Sequence, residues 1–96
     1  MSNLCDLGHK YEQSLREHIK RRCAGVSDPQ PRLLEKIRDE VYTQLAPNLI
    51  NEYGSRQKLE SAIESVLGRW IDDNLIYDAG GFVEFTKSGF YELTRG

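Results

Sequence analysis

The sequence predicts a mostly α-helical domain with a small β-hairpin near its C-terminal end. Three segments repeat apolar residues at intervals of three and four, which is the period of an amphipathic helix. A later segment places short apolar strands on both sides of Gly80-Gly81, which is typical of a hairpin turn. At 96 residues the chain has room for one core. We therefore expect residues 1–96 to form one domain.

The first predicted helix lies within residues 1–24, an N-terminal amphipathic segment that Gly25 ends. Its apolar stripe consists of Leu4, Leu7, Tyr11, Leu15, Ile19 and Cys23. Its other face carries Lys10, Arg16, Lys20, Arg21 and Arg22. Residues 1–24 have five positive and three negative side chains, so the rest of the chain has a net charge of -4. A solvated helix face explains this asymmetry as well as a phosphate contact does.

The second helix opens a predicted helical core over residues 28–74. Asp28 is a natural N-cap, and Pro29 suits the first helical position because its missing N–H has no helical partner there. Pro47 disfavours helical geometry at Ala46, which predicts a stop or a kink before a short helical turn over 48–53. The inner stripe is Leu33, Leu34, Ile37, Val41 and Leu45.

The third helix, over residues 55–73, is expected to form the centre of the core. Ser55 is its predicted cap, and Trp70 is predicted to be a buried anchor because it lies on the apolar stripe. Asn74 suits a left-handed position at the C-terminal end. The stripe is Leu59, Ala62, Ile63, Val66, Leu67, Trp70 and Ile71.

The pattern changes after Asn74, and residues 75–93 are predicted to form a wing and a C-terminal segment. Residues 75–77 and 82–85 indicate two strands, and residues 78–81 form the glycine turn between them. The segment 86–93 is compatible with a capped helical turn or with an extended strand. Its apolar residues Phe90, Tyr91 and Leu93 indicate that it docks on the core in either form.

Composition excludes several functional classes. With a net charge of -2 the chain lacks the overall positive charge typical of many nucleic-acid-binding proteins, so any anion-binding surface must be local. The longest apolar run is Leu75-Ile76-Tyr77, far short of a membrane span, so no membrane partner is expected. The N-terminus has no apolar signal region, which favours a cytoplasmic protein. Hydrophobic residues at 39% are enough for a folded chain.

The cysteines and histidines lie together in the first quarter of the chain, but one helix cannot gather them around a metal. A rise of about 1.5 Å per residue separates Cys5 and Cys23 by about 27 Å, which excludes both a shared zinc ion and a disulfide. We expect two free thiols, buried or half-buried, in a reducing compartment and two surface imidazoles, His9 and His18. A metal site between two antiparallel copies stays open as an alternative.

No catalytic set assembles from the sequence. The chain has no glycine-rich phosphate loop, no nucleophile elbow and no metal motif, and neither histidine has a nucleophile beside it. We therefore expect neither an enzyme nor a bound cofactor.

Three stretches within residues 30–96 resemble the winged helix-turn-helix superfamily. Residues 70–76, Trp-Ile-Asp-Asp-Asn-Leu-Ile, resemble the end of that family's third helix, where a leucine and polar residues precede Gly-Leu-Ile. Residues 85–93, Phe-Thr-Lys-Ser-Gly-Phe-Tyr-Glu-Leu, are similar to its Leu-Thr-x-x-Gly-x-x-x-Leu exit from the second wing strand. Residues 52–56, Glu-Tyr-Gly-Ser-Arg, look like its Gly-x-Ser-Arg turn, although the third helix is then about one turn longer than usual.

The resemblance implies a dimeric DNA-binding regulator of transcription whose third helix enters the major groove. The residues that this helix would offer to DNA are Arg56, Gln57, Lys58, Ser61, Ser65 and Arg69. The residues of the first helix that would brace the phosphate backbone are Arg16, Lys20, Arg21 and Arg22.

The charge pattern favours a second interpretation, a protein-interaction module. Residues 55–74 contain more acidic than basic side chains, and residues 75–85 contain Asp78 and Glu84 but no cation. An acidic third helix and wing would suit a basic protein partner, and the first helix would suit dimerisation. Asp72 and Asp73 are unfavourable at a helix C-terminus, and pairing with Arg69 or with a partner's cation would offset this.

Overall fold

The structure, a computed structural model, describes residues 4–95, with side chains described from residue 6 onward. This part of the chain is mostly helical with one two-stranded antiparallel hairpin, which confirms the predicted fold class. The elements are α1 (Leu4–Arg22), α2 (Leu33–Tyr53), α3 (Arg56–Asp72), β1 (Ile76–Asp78), β2 (Val83–Phe85) and α4 (Lys87–Arg95).

Helix α1 is central to the packing, since it lies against α2, α3 and α4. The predicted stripe is confirmed from Leu7 to Cys23, and each of its members in that range is at most 2% exposed. Cys23 is a buried free thiol, as predicted. The side chains of Leu4 and Cys5 lie outside the described residues. The remaining buried stripe members are Leu7, Tyr11, Leu15 and Ile19.

Helix α2 begins at Leu33, so the prediction that Asp28 caps it is wrong. Pro31 disfavours helical geometry at the residue before it, and Arg32 enters the helix from a left-handed conformation with φ of 61°. The Arg32 backbone N–H donates to Glu84 Oε1 at 2.8 Å, and the Arg32 guanidinium lies 4.2 Å from the centre of the Phe82 ring. The hairpin therefore fixes the start of α2.

Pro47 does not stop α2, contrary to one of the two predicted outcomes. The helix is continuous from Leu33 to Tyr53, so the separate turn predicted over residues 48–53 is its last part. Ala46 and Leu49 on either side of the proline are buried in the same core. Burial of these apolar side chains offsets the loss of one backbone hydrogen bond at a proline.

Helix α3 has the predicted boundaries, with one residue of its stripe misplaced. Ser55 caps it, because Ser55 Oγ accepts a hydrogen bond from the Lys58 backbone N–H at 3.0 Å. Asn74 takes the predicted left-handed conformation with φ of 62°. Ile71 was expected to be buried but is 41% exposed, because it lies at the edge of the stripe next to the solvent.

The hairpin is confirmed, and it pairs Ile76 with Phe85 and Asp78 with Val83. Gly80 and Gly81 both have positive φ, which is the mirror-image turn that suits the twist of a two-residue hairpin. Asp78 Oδ1 accepts hydrogen bonds from both glycine N–H groups, at 2.9 and 3.1 Å. The acidic turn therefore stabilises itself without a cation.

The C-terminal segment is helix α4, so of the two predicted forms the helical one is confirmed. Thr86 caps it, since Thr86 Oγ1 accepts a hydrogen bond from the Gly89 N–H at 2.9 Å. The same hydroxyl is within 2.7 Å of the Asn74 carbonyl oxygen, and the Thr86 N–H donates to the Leu75 carbonyl at 3.1 Å. A Cβ on Gly89 would overlap the Leu75 carbonyl. Thr86 and Gly89 thus join α4 to the end of α3.

We expect Gly89→Ala to destabilise the protein by about 2 to 3 kcal/mol, because backbone at Leu75 cannot move away as a flexible side chain would. Gly68→Ala is the matched control. A Cβ at Gly68 meets no atom within 4 Å, so alanine should stabilise α3 by about 1 kcal/mol. Urea unfolding followed by circular dichroism measures both changes. Equal midpoints for Gly89→Ala and the wild type would contradict the close contact.

Candidate interaction surface

Glu12 joins α1 to α3 around the buried Trp70. Glu12 Oε2 accepts a hydrogen bond from the Trp70 indole Nε1 at 2.7 Å, and Trp70 is only 1% exposed, as predicted for a core anchor. Glu12 Oε1 accepts from Arg69 Nη2 at 3.0 Å. Arg16 lies 3.5 Å from Glu12 Oε2 and places its guanidinium 5.2 Å from the centre of the Trp70 indole. We call these four residues the Glu12 network.

Sequence reasoning missed Glu12. The only local signal is its position four residues before Arg16, a spacing that many exposed helical ion pairs share. Its partners Arg69 and Trp70 lie 57 and 58 residues away, so the contact depends on how the two helices pack. Pairing of Asp72 or Asp73 with Arg69 was one of two predicted alternatives, and it is wrong, because the ion pair that Arg69 forms within the described residues is with Glu12.

The six residues predicted to read DNA from α3 are all exposed, but they do not share one direction. Ser61, Ser65 and Arg69 line a groove of about 410 Å³ between α3 and α1, facing His9 of α1. Arg56 lies instead beside a cavity formed with α2. Gln57 and Lys58 accompany Arg56 at the start of α3.

Of the three α3 cations predicted to contact DNA, Arg56 and Lys58 form no ion pair within the described residues. Arg69 belongs instead to the Glu12 network. Arg56 and Arg69 are separated by 13 positions, which is about 20 Å along the helix. The free cations therefore lie at one end of α3 only.

The four cations predicted to brace phosphates from α1 point to two sides of that helix. Arg16 and Lys20 line a groove that they share with Asp73 and Glu92. Arg22 Nε donates to Glu40 Oε1 at 3.0 Å on the α2 side. Together they form no continuous basic strip.

His18 is 9% exposed, so its prediction as a surface imidazole is wrong, whereas His9 is exposed as predicted. His18 Nε2 lies 2.9 Å from Glu40 Oε1, and Arg21 Nη2 lies 3.4 Å from His18 Nδ1. Both ring nitrogens therefore have partners, which makes burial of the imidazole tolerable. The hydrogen bond with His18 lowers the pKa of the Glu40 carboxyl. Among the residues described, no three His, Cys, Asp or Glu side chains gather as a metal site.

The C-terminal end of α1 lies beside the C-terminal end of α3. Lys10 pairs with Glu52 just before α3 begins, at 2.8 Å, whereas Lys20 lies near Asp73 just after α3 ends. The two helices thus run side by side in the same direction. The cations at residues 20–22 are consequently separated from Arg56 and Lys58 by nearly the whole length of α3.

The solvent-facing side of α3 is acidic. It presents Glu60, Glu64, Gly68, Ile71 and Asp72, which we call the α3 outer face. Its three carboxylates form no ion pair within the described chain. Ile71 adds an apolar side chain that is 41% exposed.

The hairpin adds negative charge close to this helix. Hydrogen bonds from the N–H groups of Gly81 and Gly80 lower the pKa of the Asp78 carboxyl, so Asp78 is negatively charged at neutral pH. Glu84 accepts from the Arg32 N–H, and the guanidinium of Arg32 lies on Phe82. Arg32 is thus a cation that contacts the hairpin, and it belongs to the loop before α2.

The chain has no match among known proteins in three comparisons: no family model, no curated protein and no solved structure matches it. None of the helices within residues 4–95 is long and apolar enough to cross a bilayer.

We expect Glu12→Gln to destabilise the protein by about 1 to 3 kcal/mol at pH 7, because it weakens the hydrogen bonds to Trp70 and Arg69. Burial raises the pKa of the Glu12 carboxyl, but the hydrogen bonds from Trp70 and Arg69 and the charges of Arg69 and Arg16 outweigh it and lower the pKa. The contribution is therefore full above the unfolded pKa of about 4.3 and is lost as pH falls through the lower folded pKa.

Thermal unfolding of both proteins between pH 7 and pH 3 measures this dependence. The difference in melting temperature should narrow as the pH falls. A difference that stays constant over that range would show that the Glu12 charge does not contribute.

Proposed function

We propose that the chain is a winged-helix module of the cytoplasm that binds a cationic segment of a partner protein through the α3 outer face. The observation that carries the proposal is a set of three exposed carboxylates that form no ion pair within residues 4–95, namely Glu60, Glu64 and Asp72. In the resemblance to winged helices α3 would enter the major groove of DNA, and these carboxylates would be pressed toward phosphates. Here the charge of the α3 outer face suits a basic partner.

Three further observations support a protein partner over DNA. The α3 outer face includes the exposed Ile71, and interfaces between proteins combine such apolar contacts with a polar rim. Asp78 at the hairpin turn would be repelled by phosphates. Arg16, Arg22 and Arg69 are held in ion pairs, so fewer free cations remain to release counterions from DNA.

DNA binding is the second candidate because of the start of α3. The helix begins at the Ser55 cap, directly after the short turn at Gly54, and its exposed Arg56 and Lys58 are unpaired within the described residues. A helix N-terminus and two free cations suit phosphate oxygens. This patch is small compared with the acidic face beside it.

A fluorescence anisotropy titration at low salt distinguishes the two candidates. The probes are a labelled helical peptide rich in lysine and alanine and a labelled generic DNA duplex. We expect the peptide to bind more tightly than the duplex. Glu60→Lys with Glu64→Lys should weaken peptide binding at least tenfold, because it reverses the charge of the α3 outer face.

Glu17→Lys is the matched control, since Glu17 is exposed on α1 and makes no ion pair in the described part of the chain. It should leave peptide binding within about twofold of wild type. Tighter binding of the duplex, lost in Arg56→Ala with Lys58→Ala, would overturn the protein-binding proposal in favour of DNA.

A further inference from the structure

Helix α4 carries an exposed surface that the proposed function does not use. Lys87, Tyr91 and Arg95 follow one another at intervals of four residues, so they lie along one side of the helix. Tyr91 is 62% exposed, the highest value among the large hydrophobic side chains described. The Arg95 guanidinium lies 5.1 Å from the centre of its ring. We call these three residues the α4 face.

The cations of the α4 face are free for a partner. Neither Lys87 nor Arg95 forms an ion pair with a carboxylate within residues 4–95. Asp28 lines the same small groove of about 120 Å³ but makes no ion pair with either. The opposite side of α4 holds the helix in place through the buried Phe90 and Leu93.

The α3 outer face contains the same spacing with the opposite charge. Glu64, Gly68 and Asp72 also follow one another at intervals of four, with a carboxylate at each end. Eight residues span about 12 Å along either helix. The two carboxylates of α3 are therefore about as far apart as the two cations of α4.

Gly68 lies at the centre of this pattern. No contact within the described part of one copy explains why this position is a glycine. Glycine in the interior of a helix is destabilising relative to alanine. Apart from its two chain neighbours and the backbone of α3 itself, no atom of the described chain lies within 4 Å of the position that its Cβ would take, so packing within one copy does not require glycine here. The missing side chain leaves a notch between Glu64 and Asp72 in which an aromatic ring can contact the backbone.

We propose that the α4 face of one copy docks on the α3 outer face of a second copy. Tyr91 then lies in the notch at Gly68, and the two cations beside Tyr91 pair with Glu64 and Asp72. The inference rests on the proposed function, because it identifies the basic segment that the α3 outer face binds. Either helix direction satisfies the contact, since each pattern has like charges at both ends.

The contact joins two different surfaces, so it is head-to-tail. A head-to-tail pair leaves one α3 outer face free at one end and one α4 face free at the other, so growth continues into open chains unless the rotation closes a ring. DNA would use Lys87 and Arg95, but it would leave Gly68 and the matching acidic spacing unexplained. A second copy accounts for both faces.

Sedimentation velocity over a range of protein concentrations at low salt tests this assembly. Wild-type protein should form species larger than a monomer that grow with concentration and dissociate at high salt, because ion pairs at the surface are screened. Two charge-reversal variants should each remain monomeric at the same concentrations. They are Glu64→Lys with Asp72→Lys, and Lys87→Glu with Arg95→Glu.

An equimolar mixture of the two variants should assemble again. The reversed α3 outer face of the first is complementary to the reversed α4 face of the second, and their unchanged faces also match. Gly68→Leu should remain folded by circular dichroism and lose assembly, because it fills the notch. Glu17→Lys with Lys36→Glu changes two exposed residues elsewhere and should assemble like the wild type.

A wild-type protein that stays monomeric at every concentration, or a mixture that does not assemble, would overturn the head-to-tail contact. The cationic peptide then tests the proposed function separately. The Lys87→Glu, Arg95→Glu variant keeps its α3 outer face and should bind the peptide. Binding without wild-type assembly would overturn the inference alone, whereas neither peptide binding nor assembly would overturn both.

Discussion

The hydrogen bond from the Trp70 indole to Glu12 is the constraint on which the rest of the arrangement depends. Trp70 fills the core, and its buried N–H requires an acceptor. An acceptor on α1 fixes how that helix lies along α3, and α1 also contacts α2 and α4. The carboxylate then attracts Arg69 and Arg16. The centre of the fold thereby holds two exposed cations in ion pairs and leaves the outer side of α3 acidic.

A second junction, at Thr86 and Gly89, gives the C-terminal half its shape. The Thr-x-x-Gly spacing that resembles winged helices has a structural cause here: the threonine caps α4 and bonds to the end of α3, and the glycine permits contact with the Leu75 backbone. The motif therefore says little about what the protein binds. It holds the α3 outer face and the α4 face in a fixed relation, which is the property that an assembly of identical copies requires.

The elements that the sequence predicted best are those whose pattern is local. The stripes of α1 and α3, the Ser55 cap, the left-handed Asn74 and the glycine turn all follow from neighbouring residues. The predicted start of α2 was wrong because the backbone N–H of Arg32 is held by Glu84, 52 residues further along the chain. The prediction that His18 lies at the surface was wrong for the same reason, because its hydrogen-bond partner Glu40 lies on α2.

The sequence by itself determined which segments are helical, where the hairpin turns and that Trp70 is buried, because each depends on spacing along a few turns of chain. Only the tertiary structure decided which charges remain free. Within residues 4–95 Arg69 forms an ion pair and Arg56 does not, although both are exposed arginines of one helix. The difference depends on the register of α1 against α3, which sets what lies within hydrogen-bond distance and which no local pattern of residues records.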